Sequence, residues 1–505
     1  MTAELVPTIG LEVHMHLATR SKMFCGCRVA YDARPNSLVC PVCLGMPGVL
    51  PVMNKLAVEL SVRMALALNC TIPDFAKWDR KHYYYPDLPK NYQISQYDQP
   101  LGINGYLDVE TPAGTRRIGI TRVHLEEDAG KLMHAEHGNY SIVDLNRTGT
   151  PLLEVVSEPD VRGAEEARLY AETLRQLAVY LGISYCNMQL GQMRCEPNVS
   201  LRIGAGPDGK PLYTPISELK NLNSFRSVER AVTFEIARHR QEYLADPGNY
   251  TLAKQGKSTR GWRDDEGISF LQRSKEEAHD YRYLPEPDLV PFVPERAWVE
   301  ELRKNLPELP RARRERYIKM GLSEETADML LAEAFVANFW DVFHETLEHH
   351  QGAGKWPIKR VLELANNWTL QDVRRALNEK TIDAPSLHAE FAKQLADLVV
   401  LVETGVINRN TGAEVFNKMI KAKLDLNPKS AAEIVKEENL AQTSDSSAIE
   451  AFVDQALAAN AKAVEDYRGG KKASFGRLMG EAMKASGGKA NPQLVKEILL
   501  KKLGG

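Results

Sequence analysis

Up to about residue 294 the chain reads as short runs of alternating apolar and polar positions, punctuated by Gly, Pro and Asn. Period-two alternation is the pattern of a strand with one face buried. Three stretches depart from it: over 54–69, 163–181 and 225–243 apolar residues recur at three and four, which predicts helices. The mixture predicts an α+β fold, with helices packed on a largely antiparallel sheet. A Pro-rich passage, Leu284-Pro285-Glu286-Pro287-Asp288-Leu289-Val290-Pro291 followed by Pro294, marks the end of this part. Residues 295–405 are Leu-, Glu-, Arg- and Ala-rich with helical spacing, and 406–505 continue as helices separated by Gly/Asn turns. The expected organisation is one domain over 1–294, a helical domain over 295–405 and a helical tail domain over 406–505.

In three places the alternation carries chemistry. These are Gly10-Leu11-Glu12-Val13-His14, His124-Leu125-Glu126-Glu127-Asp128 and Leu152-Leu153-Glu154-Val155-Val156-Ser157-Glu158. In a strand Glu12 and His14 point the same way, as do His124, Glu126 and Asp128. Any one stretch is read most simply as a solvated strand face with ordinary salt bridges. Three of them within 160 residues predict a carboxylate-crowded face that needs cations. Oxygen ligands of this kind suit Mg²⁺, which usually arrives with nucleotide phosphates.

The net charge of −3 excludes a uniformly basic nucleic-acid coat and leaves room for a local patch. One stands at the far end, where the last 45 residues hold ten Lys/Arg against four Asp/Glu. Lys471, Lys472 and Lys489 sit there beside Gly-Gly turns. This composition suits phosphate-backbone contacts and equally a solvated helical surface. Met1-Thr2-Ala3-Glu4 opens no secretory signal, and the apolar run Leu398-Val399-Val400-Leu401-Val402 is too short to span a bilayer, so the expected location is cytoplasmic.

Seven cysteines, an odd number, argue against a disulfide framework. Four of them form two close pairs, Cys25-Gly26-Cys27 and Cys40-Pro41-Val42-Cys43. Two such pairs can wrap one ion tetrahedrally, and four thiolates suit structural Zn²⁺; the alternative is four incidental thiols. Cys70, Cys186 and Cys195 have no comparable partners and read as core thiols. Familiar catalytic motifs are missing. Gly488-Lys489 is followed by Ala490, with Met483 where a phosphate loop needs its first glycine. There is no Gly-x-Ser-x-Gly elbow, and neither Ser446-Ser447 nor Cys195 has the neighbours of a nucleophile. If a nitrogen donor is consumed, the chemistry releasing it is expected on another polypeptide.

The segment from Asp79 to Gln93, DRKHYYYPDLPKNYQ, sets tyrosines beside cations, a combination that can hold a planar base with Lys81 and Lys90 free for phosphates, or simply pack under a long loop. Together with IGLEVH, the four cysteines, HLEEDAGKL, DLNRTGTPLLEVVSEPD, NVSLR, ELKNLNSFRSVERA, STRGW, RSKEEAHDYRYLPEPDL and the tail GRLMGEAMKASGGKANPQLVKEILLKKL, it closely resembles the B subunits of aspartyl/glutamyl-tRNA(Asn/Gln) amidotransferases. The resemblance covers essentially the whole chain. It implies a cradle-shaped catalytic domain, distantly similar to glutamine synthetase, that uses ATP and Mg²⁺. The side-chain carboxylate of a mischarged Glu-tRNA(Gln) or Asp-tRNA(Asn) would be phosphorylated, then amidated with ammonia from an amidase (A) subunit, with a small (C) subunit to complete a heterotrimer. It assigns metal and nucleotide roles to Glu12, His14, Glu127, Asp128 and Glu154, with Glu126 a near neighbour. Lys81 and Tyr83 would face phosphate or the aminoacylated end, and Arg273 or Arg282 would meet phosphate charge. Cys25, Cys27, Cys40 and Cys43 would carry zinc, and the basic tail would meet the tRNA elbow.

Regular alternation puts Glu127 opposite Glu126 and Asp128, in tension with its assignment as a ligand. Where the family usually has Asp-Ala after Met-Arg-Cys, this chain has Glu196-Pro197; the proline is expected to stiffen a turn, and the role of the acid stays open. Asp264 and Asp265 receive no role. The competing readings are a free-standing carboxylate–ammonia ligase and a zinc-bearing RNA-binding scaffold.

Overall fold

The computed structural model describes residues 5–135, 138–274, 281–353, 356–424, 427–442, 446–487 and 489–504. The chain packs as two units, Met1–Arg313 and Arg314–Gly505. The first holds strands β1 (Val6–His16), β2 (Asp79–His82), β3 (Tyr92–Ser95), β4 (Gly102–Thr111), β5 (Gly114–Glu127), β6 (Lys131–His134) and β7 (Ser141–Asp144). They are followed by β8 (Pro151–Ser157), β9 (Met193–Ala205), β10 (Pro211–Tyr213), β11 (Ile216–Lys220), β12 (Lys257–Arg263), β13 (Ile268–Ser274) and β14 (Leu284–Pro285). The main sheet runs β13-β12-β11-β9-β1-β8-β5-β4, with β10 beside β9. Every pair in it is antiparallel except β11 and β12, which run parallel.

Helices α1 (Lys55–Ala67), α2 (Ala164–Tyr180) and α3 (Phe225–Ala245) fall within two residues of the predicted stretches. The Asn54 side chain caps α1 by accepting from the Ala57 amide, and Ser224 caps α3 by accepting from Ser227. The sheet residues that join these helices in one buried core include Ile9, Leu11, Val13 and Met15 of β1, Val123 and Leu125 of β5, Leu153 and Val155 of β8, and Cys195 and Val199 of β9. Their strand neighbours therefore occupy the other face. The helix Arg296–Lys304 adds Val299 and Leu302 to the same core. Cys70, Cys186 and Cys195 are all buried free thiols. Pro197 stands inside β9, opposite Leu11, and not in a turn.

A three-stranded sheet, β14-β2-β3, is tied to β5 by side-chain bonds: Trp78 Nε1 donates to the Leu125 carbonyl at 3.1 Å and Gln93 Nε2 to that of Glu127 at 2.7 Å. The second unit contains helices and no strand among its described residues. Its last part gathers Ile449, Val453, Leu478, Val495 and Leu499 into a core of its own.

Candidate active site

Cross-strand register builds the site. His14 of β1 lies opposite Glu154 of β8 on one side and Arg194 of β9 on the other, and Glu154 lies opposite His124 of β5. One alternation along, Glu12 faces Glu196, and Asn198 of β9 faces Glu218 of β11. Directly opposed side chains in a sheet stand about 5 Å apart at Cβ, close enough to share a ligand or a proton.

Two acidic clusters result. In the first, ligand-capable atoms of His14, Glu126 and Glu154 lie within 4.8 Å of one another. Glu154 Oε2 is 3.1 Å from Nε2 of both His14 and His124, and Glu126 Oε2 accepts from Ser95 Oγ at 2.9 Å. Burial works against charge on His14, but the Glu154 carboxylate outweighs it and holds the ring at about 9. Burial is likewise the largest influence on His124, overcome by Glu154 and then Glu126, with the same outcome of about 9. Burial alone would raise Glu154; the two histidines hold it well below the usual carboxylate range. Both histidine Nδ1 atoms are buried with no hydrogen-bond partner.

The second cluster joins Glu12, Glu196 and Glu218, again within 4.8 Å. Asn198 Nδ2 donates to Glu12 at 3.0 Å, Thr259 Oγ1 to Glu218 at 3.1 Å, and Lys220 Nζ to Glu196 at 2.8 Å. Both clusters open into one cleft of about 1030 Å³, whose lining includes Lys81, Tyr83, Tyr281, Tyr283 and Arg273. The Lys81 ammonium sits 5.0 Å over the Tyr281 ring and 5.8 Å from that of Tyr83. Burial opposes its charge, but Tyr283 and Glu126 keep it firmly protonated.

The other residues singled out from the sequence lie elsewhere or do other things. Asp128 follows the end of β5, where its amide bonds to the Thr150 carbonyl. Its carboxylate lines the cleft but is engaged by His16 at 2.7 Å, Arg194 at 2.9 Å and Arg147 at 3.3 Å. The structure does not bring Glu127 to the cleft. Regular alternation turns it to the far side, where it is paired with Lys90 and accepts from the Ile94 amide at 3.0 Å, beside the cysteine loop. Arg282 is exposed, has φ of 44° and donates to Tyr84 Oη at 3.1 Å. Lys471 pairs with Asp466 at 3.0 Å, Lys472 is exposed and Lys489 half-buried. The sequence alone singles out neither Glu218 nor Lys220, although a period of two in Ile216-Ser217-Glu218-Leu219-Lys220 sets the two on one face.

Cys25, Cys27, Cys40 and Cys43 bring their sulfurs within 4.8 Å of one another. A hydrogen bond from Cys25 is the main reason the Cys43 thiol drops to about 4, with the ammonium of Lys22 also helping from 3.5 Å. A convergent set of four thiols, one of them readily ionised, is a donor set for a soft divalent ion.

The sheet, its acid-bearing face and the helical second unit define a two-part protein of the GatB/GatE catalytic class: the GatB/GatE catalytic domain family matches residues 7–300 and the GatB domain family residues 358–503. The B subunit of the aspartyl/glutamyl-tRNA(Asn/Gln) amidotransferase of Caldicellulosiruptor bescii is 46% identical, over 98% of this chain and 98% of its own length. The B subunits of the same name from Moorella thermoacetica (45%; 99% and 100%) and Geobacter sulfurreducens (47%; 98% and 99%) are similarly related. The chain belongs to this family of amidotransferase B subunits. Among the described residues, no helix is long and apolar enough to cross a membrane.

Proposed function

We propose that this chain carries the ATP-dependent half of a tRNA transamidation in the cytoplasm, working with an amidase (A) subunit that supplies ammonia and with a small (C) subunit. The supporting observation is the pair of acid clusters on adjacent rows of one sheet face, in the same cleft as Lys81 and Arg273. The side-chain carboxylate of Glu-tRNA(Gln) or Asp-tRNA(Asn) attacks the γ-phosphorus of ATP, the bond to the β,γ-bridging oxygen breaks, and ADP leaves. Ammonia then attacks the acyl carbon, phosphate departs with the bonding pair, and the excess proton passes to solvent or a carboxylate. His14, Glu126 and Glu154 hold one divalent cation, and Glu12, Glu196 and Glu218 a second. Mg²⁺, when bound, supplies neutralisation of the charge on the transferred phosphoryl group.

Lys81 and Arg273 orient phosphate oxygens, and the tyrosines around Lys81 exclude water from the acyl phosphate. Glu127 stays outside this chemistry, with Lys90 as its partner. The four cysteines fit Zn²⁺, which fixes the loop between β1 and α1. Lys471, Lys472 and Lys489 contact the tRNA backbone from the tail domain.

The test is amide formation by the chain co-purified with its amidase partner, given Mg·ATP, ammonium chloride and either Glu-tRNA(Gln) or Asp-tRNA(Asn). Glutamine or asparagine recovered from the tRNA supports the reading and identifies the substrate. ATP hydrolysis without amide on either tRNA refutes the tRNA assignment. Absence of ATP hydrolysis refutes the catalytic reading and leaves the RNA-binding scaffold.

A further inference from the structure

The two acid clusters are balanced differently. Around His14, Glu126 and Glu154 the positive partners in ion-pair contact are histidine rings on the same rows of the sheet, fixed by short side chains, with the Lys81 ammonium in the same cleft. In the second cluster an ammonium on a long flexible stem bridges two of the three acids, with Lys220 Nζ 2.8 Å from Glu196 and 3.3 Å from Glu218. Glu218 is 4% exposed at its side chain and Glu196 14%, whereas Lys220 is 32% exposed. The acids are held and the lysine has room to move. A point charge carried on four methylenes can exchange one oxygen partner for another, as a guanidinium fork cannot.

We propose that Lys220 is an internal counter-ion of the Glu12–Glu196–Glu218 cluster, one that a divalent cation must displace and that then turns to the nucleotide phosphates in the same cleft. This rests on the reading of the cleft as a cation and nucleotide site. Its consequence is an order of filling: the His14 cluster gives up only a proton for its cation, while the second cation competes with the ammonium until phosphate offers Lys220 another partner. Lys220 is thus a positioning residue for the second cation in the absence of nucleotide.

The experiment titrates Mn²⁺ alone into the zinc-replete full-length chain and counts free Mn²⁺ by electron paramagnetic resonance. The wild type should take one ion tightly and a second much more weakly, or not at all. In Lys220→Met the second ion should bind about tenfold more tightly, as expected when a like charge leaves a partly buried site. Lys220→Arg, which keeps the charge, should leave it weak, and Glu196→Gln should abolish it. Unchanged affinity for the first ion in each variant shows that the sheet has folded. A second-site affinity in Lys220→Met that is unchanged or weaker, or no second ion in any variant while the first persists, overturns the proposal. If the wild type binds no Mn²⁺ at either cluster, the cation reading of the cleft itself fails, and this inference with it.

Discussion

Replacing Glu154 by Gln removes the nearer of the two carboxylates that touch both cleft histidines: it lies 3.1 Å from each Nε2, whereas Glu126 lies 3.7 Å from that of His14 and 3.5 Å from that of His124. Burial pushes both rings towards neutrality, and Glu154 is the largest charge opposing it, so each stands at about 9. Against an ordinary value of ~6.5, and at ~1.4 kcal/mol per pH unit, the charged form of one ring is favoured by roughly 3 kcal/mol in the folded protein. The two rings share the same two carboxylates, so the pair contributes less than twice that. The folded values are raised, so this stability is fully present below pH ~6.5 and is lost as pH rises through about 9. In chelator, ¹³C-histidine NMR of the wild type should therefore show two resonances with midpoints near 9, one of them absent in His14→Gln. In Glu154→Gln both should fall back into or below the ordinary histidine range, and thermal stability should lose its decline between pH 7 and 9. Adding Mg²⁺ to the wild type below that midpoint should release protons, because a histidine must be neutral to ligate. Calorimetry in two buffers of different ionisation enthalpy measures this. Midpoints that stay near 9 in Glu154→Gln would refute the assignment of Glu154 as the charge that holds them.

Three other outcomes follow from where the side chains of the first unit lie, and one from the tail. Glu12→Gln should cut ATP turnover by about 10²-fold or more, the scale for removing one electrostatic stabiliser. Glu127→Gln should leave ATP turnover nearly intact but, by stranding the Lys90 ammonium, lower the unfolding free energy by roughly 3 kcal/mol in a denaturant titration. Cys43→Ser should reduce zinc content by mass spectrometry and expose the loop between β1 and α1 to protease, while equilibrium dialysis finds ATP still bound; unchanged zinc content would count against the metal assignment. Lys471→Ala combined with Lys472→Ala should weaken tRNA binding and lower the log–log salt slope by about 1 for each phosphate no longer neutralised, with little change in ATP hydrolysis without tRNA.

The site was legible where each strand declared itself. Glu12, His14, His124 and Glu154 all lie between apolar residues buried at 0–1% exposure, and Glu126 follows one of them, Leu125, so alternation alone assigned the faces. The same rule placed Glu127 correctly on the far side, where a motif-based assignment had made it a ligand. It also set Asp128 on the cleft face, although β5 ends at Glu127 and the carboxylate is engaged there by His16 and Arg194. Glu196 and Glu218 were not legible as partners of Glu12. Each is a single acid in its own strand, and only the register of β1 with β9, and of β9 with β11, brings the three together. The helices were legible from their apolar recurrence, and the structure adds the caps, Asn54 on α1 and Ser224 on α3.

The alternation that builds the core also builds the site, and neither can move without the other. Glu12 and His14 share one face of β1, so their Cα atoms stand two strand steps, or about 7 Å, apart. That offset brings Glu12 into the cluster with Glu196 and Glu218 and His14 into the one with Glu126 and Glu154. A slip of β1 by one residue would turn Leu11 and Val13, both at most 1% exposed, into the cleft. It would drive Glu12 and His14 against the apolar layer of Cys195, Val199 and Tyr170, where no cation compensates them. Hydrophobic burial on the helix side thus fixes the spacing of charges on the other. The charges in turn penalise every register except one, so a face that repels itself when empty can still be held ready for its cations.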